Sequence, residues 1–419
     1  MRPPPRPTAA DFPAGTPLRH FFAWNERRWR RDRRYRAMRT PGSLPPEAAA
    51  ALDHTIGNRD VAAHAAVFRA FEAMRPPPRR VLVIRLSAFG DMVQALGPFA
   101  AIRRHHPDAY ISLLTTAPYV AFATELGCFD EVIVDERPPP PALDGWLRLR
   151  RRLRQLRIDR VYDLQTSHRS GVYAALLWPL KPEWSGIAWG CSHPHANRAR
   201  DAQHTLDKQA EQLLMAGIHP TPPPILPPIG RPLPPPLQGR RFALLAPGSS
   251  PRHPEKRWAA ARFGTLAQAL KDGGVLPVVV GVAAEAPLAA AISAICPAAV
   301  DLVGRTDLTQ LAALTTHAAL AVGNDTGLCH LAAAAGIPVI VLFSRASDPV
   351  RHAPRGSLVR VLAAPDLADL PAETVIAAAA DILAAGPSRQ PSPRKRGEGE
   401  CGTASQIRSL SPLAGRGTG

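Results

Sequence analysis

Three short stretches concentrate the residues able to do chemistry. In the first, Gly323-Asn324-Asp325-Thr326-Gly327 separates the apolar run 319–322 from the helix-forming run 331–335. A buried strand, a tight turn and a helix N-terminus in that order make an anion site, because free helix N–H groups point back into the turn and Gly327 lets a ligand approach the backbone. A diphosphate held by those donors and the Thr326 hydroxyl fits the pattern. So does a helix capped by Asp325 or Thr326 with no ligand. In the second stretch, Gly248, Ser249 and Ser250 follow the strand-like run 242–247 and precede Arg252, Lys256, Arg257 and Trp258. A glycine and hydroxyls beside a flexible ammonium suit the neutralisation of a diphosphate, while a surface lysine ahead of a helix is the plainer reading. The third is Ser87-Ala88-Phe89-Gly90-Asp91. A carboxylate at a glycine turn can take the proton of an attacking hydroxyl, or can cap the helix that follows.

These stretches need a scaffold that brings them together. From residue 80 the pattern alternates, with strands at 81–86, 110–115, 131–135, 161–164 and 184–188 and helices at 92–104, 119–126, 143–157 and 170–177. A second series begins at 242, with strands near 278–281, 300–303, 320–323 and 339–343, helices at 259–271, 286–295, 308–316 and 326–335, and a closing helix at 372–385. Such alternation predicts parallel sheets covered by helices on both faces, with the ligand edge at the carboxyl ends of the strands. Between the two series, the amphipathic stretch 204–218 leads into the proline-rich run 220–236, an extended and semi-rigid connector. The expected organisation is an N-terminal extension over 1–79, an α/β domain over 80–219, a linker over 220–240, a second α/β domain over 241–385 and a disordered tail over 386–419. Two doubly wound domains joined in this way face each other across a cleft.

Composition removes several other classes. The net charge of +17 over 419 residues suggests nucleic acid, yet residues 81–385 hold 29 basic and 25 acidic side chains, so most of the excess lies in the flanks. That balance suits an anionic small molecule or membrane surface better than a duplex, which needs a concentrated basic face. Five scattered cysteines without C-x-x-C support neither disulfides nor a zinc ribbon, and fit a reducing, cytoplasmic setting. No apolar run approaches the roughly 18 residues of a spanning helix. Cys191, His193, His195 and His204 match no zinc spacing, so no metal is expected. Neither G-x-x-x-x-G-K-[ST] nor G-x-G-x-x-G is present, which disfavours a P-loop NTPase or a nicotinamide enzyme. In 21–39, Trp24, Trp29 and Tyr35 interleave with arginines, a pattern for RNA or anionic lipid or for a disordered leader, and Met74 opens a second Met-Arg-Pro-Pro-Pro-Arg that can be a start. The arginines of helix 143–157 predict a solvated face, with lipid or phosphate contact as the alternative.

Taken together, Val81-Leu-Val-Ile-Arg-Leu-Ser-Ala-Phe-Gly-Asp91-Met-Val-Gln, Tyr162-Asp-Leu-Gln-Thr-Ser-His-Arg-Ser170, Pro247-Gly-Ser-Ser with Glu255-Lys-Arg-Trp258, and Gly323-Asn-Asp-Thr-Gly-Leu-Cys-His-Leu331 resemble the ADP-heptose:lipopolysaccharide heptosyltransferases, glycosyltransferase family 9. The resemblance covers about residues 80–385 and lies in motif order and spacing; Phe89 stands where leucine is usual. It implies a GT-B type α/β fold of two doubly wound Rossmann-like domains, with the acceptor in the first and the nucleotide-sugar in the second. The implied reaction is an inverting transfer of a heptose or related sugar from an ADP-sugar to the lipopolysaccharide inner core, without metal or cofactor. Asp91 as base and Lys256 at the diphosphate are the implied catalytic residues. Donor contacts are implied at Gly248, Ser249, Ser250, Lys256, Glu285, Asp325, Thr326, Gly327 and His330, and acceptor contacts at Ser87, Gly90, Gln165 and Arg169. The implied partners are the nucleotide-sugar and a lipid A-core acceptor at the inner membrane, with no nucleic acid and the enzyme cytoplasmic or peripheral on the membrane. Another nucleotide-sugar or acceptor, or a non-catalytic binding protein on the same shell, are the alternatives.

Overall fold

The computed structural model describes residues 72–73, 76–139, 141–188, 191–195, 200–249 and 254–385. The stretch 21–39, Met74, Ser250, Arg252 and the tail 386–419 lie outside the described residues.

Two six-stranded parallel sheets organise the chain. The first contains β1 (Arg80–Ile84), β2 (Tyr110–Thr115), β3 (Glu131–Val134), β4 (Arg160–Asp163), β5 (Glu183–Gly186) and β6 (His193–Pro194) in the order β3-β2-β1-β4-β5-β6. The second contains β7 (Phe242–Ala246), β8 (Leu276–Val279), β9 (Val300–Asp301), β10 (Leu320–Asn324), β11 (Val339–Phe343) and β12 (Val359–Ala363) in the order β12-β11-β10-β7-β8-β9. Central strands are apolar throughout because helices cover both faces: Val81, Leu82, Val83 and Ile84 are all buried, as is every residue of β7 and β10.

Both sheets have the same strand order once each is numbered from its own first strand, and both reverse direction beside that first strand, at β1/β4 and β7/β10. A crevice opens at such a switch point because the connections on either side depart to opposite faces. The loops after β1, β4, β7 and β10 therefore border these crevices. They carry Asp91, the 163–170 segment, the Gly248–Trp258 loop and Asp325-Thr326-Gly327 respectively.

The helices that position those loops are α1 (Phe89–Gln94), α2 (Leu96–His105), α3 (Val120–Glu125), α4 (Leu143–Gln155), α5 (His168–Leu176) and α6 (Thr205–Leu214) in the first half. The second half has α7 (Ala260–Asp272), α8 (Ala286–Ile295), α9 (Leu308–His317), α10 (Gly327–Ala335), α11 (Pro349–His352) and α12 (Ala372–Ala384). The single helix expected at 92–104 is two helices that meet at Ala95, since Pro98 has no N–H to close onto the Gln94 carbonyl. Periodicity missed β6, which is two residues long, and β12, an edge strand with no buried residue. No helix among the described residues is long and apolar enough to cross a membrane.

The linker is extended apart from one 3-10 turn at Pro235–Leu237, and it is packed rather than free. Leu226 and Ile229 are buried, Leu226 N–H donates to Ala334 O at 2.9 Å, and Arg104 donates to Pro220 O at 2.7 Å. The linker thus touches both halves. The N-terminal extension also reaches the fold: Glu72, two residues before Met74, accepts from buried Arg160 at 2.5 Å and bonds His193 Nε2 at 2.6 Å. These two partners outweigh the desolvation of the carboxyl and hold it down at about 2.

Candidate active site

Asp91 lies in the first turn of α1, where one carboxylate oxygen accepts from Ala88 N–H at 3.0 Å and the other is paired with Arg85 at 2.9 Å. The side chain is 41% exposed. It both caps the helix and presents a fixed carboxylate to the cleft. Arg85 is buried at the end of β1 and also donates to Leu164 O at 2.5 Å, so the orientation of the carboxylate is set from inside the sheet. Sequence reasoning missed this partner, although an arginine inside the apolar run 81–86 was a signal.

In the other half, neither helix-capping reading describes Asp325 and Thr326. Asp325 Oδ2 accepts from Lys256 Nζ at 3.0 Å and from the Ser347 hydroxyl at 2.7 Å. Thr326 occupies the N-cap position of α10 but makes no capping bond, and its buried hydroxyl has no hydrogen bond to nitrogen or oxygen among the described residues, the Cys329 thiol being its neighbour. A buried hydroxyl without a nitrogen or oxygen partner at a helix N-terminus is available to donate to a ligand oxygen.

The two halves meet at these turns. A Cβ built on Gly90 would lie 2.9 Å from the His330 ring, and one on Gly327 would lie 3.0 Å from Gly90 N and 2.6 Å from the Phe89 ring. Only glycine at both positions lets α1 and α10 approach so closely. Phe89 stacks on Tyr119, centroids 6.5 Å apart, and closes one wall. His330 sits between the two acids. Burial lowers its pKa, while Asp325 and Asp91 oppose the shift.

The loop after β7 is clamped by Asn324, which is fully buried. Its Oδ1 accepts from Trp258 N–H at 3.0 Å, and its Nδ2 donates to Pro247 O at 2.8 Å and Gly248 O at 3.0 Å. One amide thus holds both ends of the loop that carries Ser249 and Lys256. Ser249 is buried and accepts from Arg257 at 3.0 Å, and Trp258 Nε1 donates to Leu370 O at 2.8 Å. Glu285 lies under the same loop: a Cβ on Gly248 would fall 1.8 Å from one carboxylate oxygen and a Cβ on Gly281 2.2 Å from the other. Burial raises the Glu285 pKa. Asn324→Ala removes three hydrogen bonds at once and strands two carbonyls and an amide, so a stability loss of about 2 to 4 kcal/mol is expected. Donor KM should rise with it. Denaturant unfolding and donor titration check both; a stability loss with unchanged donor KM would make Asn324 a purely structural residue.

On the acceptor side, Gln165 and Arg169 are in use inside the domain. Gln165 Oε1 accepts from the Leu86 and Ser87 N–H groups at 2.8 and 3.2 Å, tying the loop after β4 to the loop after β1. Arg169 bonds Tyr173 at 2.7 Å, pairs with buried Asp135 at 3.4 Å and lies 5.0 Å over the Trp146 ring. Ser87 and Gly90 are half-buried beside Asp91.

Asp163 begins this loop fully buried, with Oδ1 accepting from Thr166 N–H at 2.9 Å and Oδ2 unpartnered among the described residues. Burial pushes its pKa up to about 6. The folded state therefore holds this proton more tightly than the unfolded chain. Its contribution is fully present below the unfolded value near 3.8 and is lost as pH rises through about 6. Asp163→Asn should remove that loss, so its stability relative to wild type should grow by about 2 kcal/mol between pH 4 and 7. Urea unfolding at the two pH values measures it, and a pH-independent difference would contradict the burial.

The residues Cys191, His193, His195 and His204 do not converge. His193 bonds Glu72, His195 bonds Glu211 at 3.2 Å, and His204 bonds Ala353 O at 2.8 Å across the domain boundary. Glu72, Glu183 and His193 do place possible ligand atoms within 4.8 Å of one another, but Arg160 donates to both carboxylates, and a guanidinium there competes with any cation.

Comparison with known proteins agrees with this geometry. The model of glycosyltransferase family 9 (heptosyltransferase) matches residues 194–374. The match spans somewhat less than half of the chain. Curated relatives include the lipopolysaccharide core heptosyltransferase OpsX of Haemophilus influenzae, 24% identical over 68% of this chain and 84% of that one. Lipopolysaccharide heptosyltransferase 2 of Escherichia coli is 27% identical over 66% and 87%. Among solved structures, ADP-heptose lipopolysaccharide heptosyltransferase II of E. coli superposes with a TM-score of 0.62 at 21% identity, covering 73% of this chain and 99% of that one. A family 9 glycosyltransferase from Veillonella parvula gives 0.63 at 20% identity, covering 73% and 97%. The structural likenesses show the GT-B fold, and the family match with the curated relatives shows a glycosyltransferase.

Proposed function

We propose that this enzyme transfers a heptose from ADP-heptose to the inner core of lipopolysaccharide, with inversion at the anomeric carbon. The observation that carries the reading is the meeting of the Asp91 turn with the Thr326-Gly327 helix N-terminus at Gly90, which sets a base on one side of a cleft and a diphosphate site on the other. Heptosyltransferases acting on lipopolysaccharide are among its relatives, and a relative of this fold is known with ADP.

The chemistry follows from placement. Asp91 takes the proton of an acceptor hydroxyl as its oxygen attacks the anomeric carbon, and the bond to the diphosphate breaks on the opposite face. Charge growing on the leaving diphosphate is met by Lys256, the Thr326 hydroxyl and the free N–H groups of α10. Ser249, Gly248 and Glu285 shape the rest of the donor pocket, with Glu285 set to accept from ribose hydroxyls. This route needs no metal. The enzyme works in the cytoplasm, at the membrane surface that presents its lipid-linked acceptor.

Purified protein given ADP-heptose and a lipid A-core acceptor lacking heptose should release ADP and add one heptose, read by mass spectrometry. Turnover of a different nucleotide-sugar in preference, or ADP release without sugar transfer, would redirect the assignment.

A further inference from the structure

Helix α4 is amphipathic in an uncommon sense. Leu149 and Leu153 are buried against the sheet, while Leu143, Leu147, Arg150 and Arg154, spaced four, three and four apart, fall on one outward stripe. Leu143 is 72% and Leu147 55% exposed. Arg150 donates to Trp178 O at 3.3 Å, which joins this stripe to the turn after α5, where Trp178 is 61% exposed and Leu180 46%. Two exposed leucines, a tryptophan and a further leucine therefore share a surface with arginines.

We infer that this surface, Leu143, Leu147, Trp178 and Leu180 with Arg150 and Arg154, docks the enzyme on an anionic lipid bilayer. Charge decides the occupant. Arg148 and Arg152 are paired with Glu136 and Glu131, whereas Arg150 and Arg154, the two arginines of the stripe, have no carboxylate partner among the described residues. Leucine and tryptophan entering the headgroup boundary beside unpaired arginines are what an interfacial helix presents to anionic lipid. A second copy fits worse, because a twofold contact on this stripe sets arginines against arginines. The stripe also begins where the chain leaves the carboxyl end of β3, the edge that faces the acceptor. The inference rests on the proposed use of a lipid-linked acceptor and gives that reading a location.

The full chain should sediment with vesicles of phosphatidylglycerol and phosphatidylcholine, much less with phosphatidylcholine alone, and should release in high salt. Leu147→Asp with Arg154→Gln, both exposed changes, should weaken binding more than about fivefold, the factor expected for one arginine alone. Melting temperature and transfer to a water-soluble acceptor fragment should stay at wild-type values. Because the vesicles carry no acceptor, the result is independent of the transfer reaction. Equal binding by the variant, no preference for anionic vesicles, or a dimer that the same variant abolishes would each overturn the assignment.

Discussion

Asp91→Asn should lower turnover by about 10² to 10⁴, with donor affinity near wild type and only a modest fall in melting temperature. The structure explains why the two effects separate. One oxygen of Asp91 accepts from Ala88 N–H and the other from Arg85, so an amide oxygen can keep one of these bonds while its NH2, a donor, loses the other. The carboxylate is half exposed but Arg85 is buried and keeps Leu164 O as an acceptor, so losing that contact costs about 1 to 3 kcal/mol. What the amide cannot do is take a proton from a hydroxyl. In the proposed reading donor binding rests on Lys256 and Thr326, on the other half of the chain, so the donor KM should hardly move. Steady-state kinetics with donor and acceptor varied separately, alongside thermal melts, make the comparison. A variant that lost stability but kept its specific activity would make Asp91 a cap and nothing more.

The sequence exposed the parts of this site that local pattern controls. Each of the ligand-edge loops follows an apolar run and contains a glycine or a hydroxyl beside a charge, because a strand must be buried and a loop that meets phosphate must be open and polar. Repetition of that pattern was enough to place Asp91, Lys256 and Thr326 at the same edge. Local pattern could not show which polar side chains were already occupied. Gln165 reaches back nearly 80 residues to the Leu86 and Ser87 amides, and Arg169 pairs with Asp135, 34 residues earlier. Both stand in a motif beside the acceptor edge, yet their hydrogen bonds serve the scaffold. Asn324 has the opposite history: it sits inside the anion motif, and only the fold reveals that its amide ties down the other phosphate loop. The Thr326 hydroxyl illustrates why the plainer reading could not be rejected earlier, since a capping threonine and a ligand-binding one have the same sequence.

Lys256→Ala should reduce kcat/KM by about 10² to 10³, with donor KM raised and kcat lowered together. Two consequences combine. A cation that meets the departing diphosphate is removed, and charge there grows as the anomeric bond breaks, so the transition state loses more than the ground state. In addition, Lys256 and Asp325 are 19% and 12% exposed and 3.0 Å apart, so removal of the ammonium leaves a mostly buried carboxylate that still accepts from the Ser347 hydroxyl but has lost its counter-ion. That carboxylate then repels the incoming diphosphate. The second effect is separable. Adding Asp325→Asn to the Lys256→Ala background removes the repulsion, so the double variant should bind donor more tightly than the single lysine variant, though less tightly than wild type. Turnover should not recover in the double variant, because the second change restores no cation at the leaving group. Donor titration by calorimetry on wild type, the two single variants and the double variant completes the cycle. Additive effects would place the two side chains in separate roles, and unchanged kinetics for Lys256→Ala would place the lysine outside the reaction altogether.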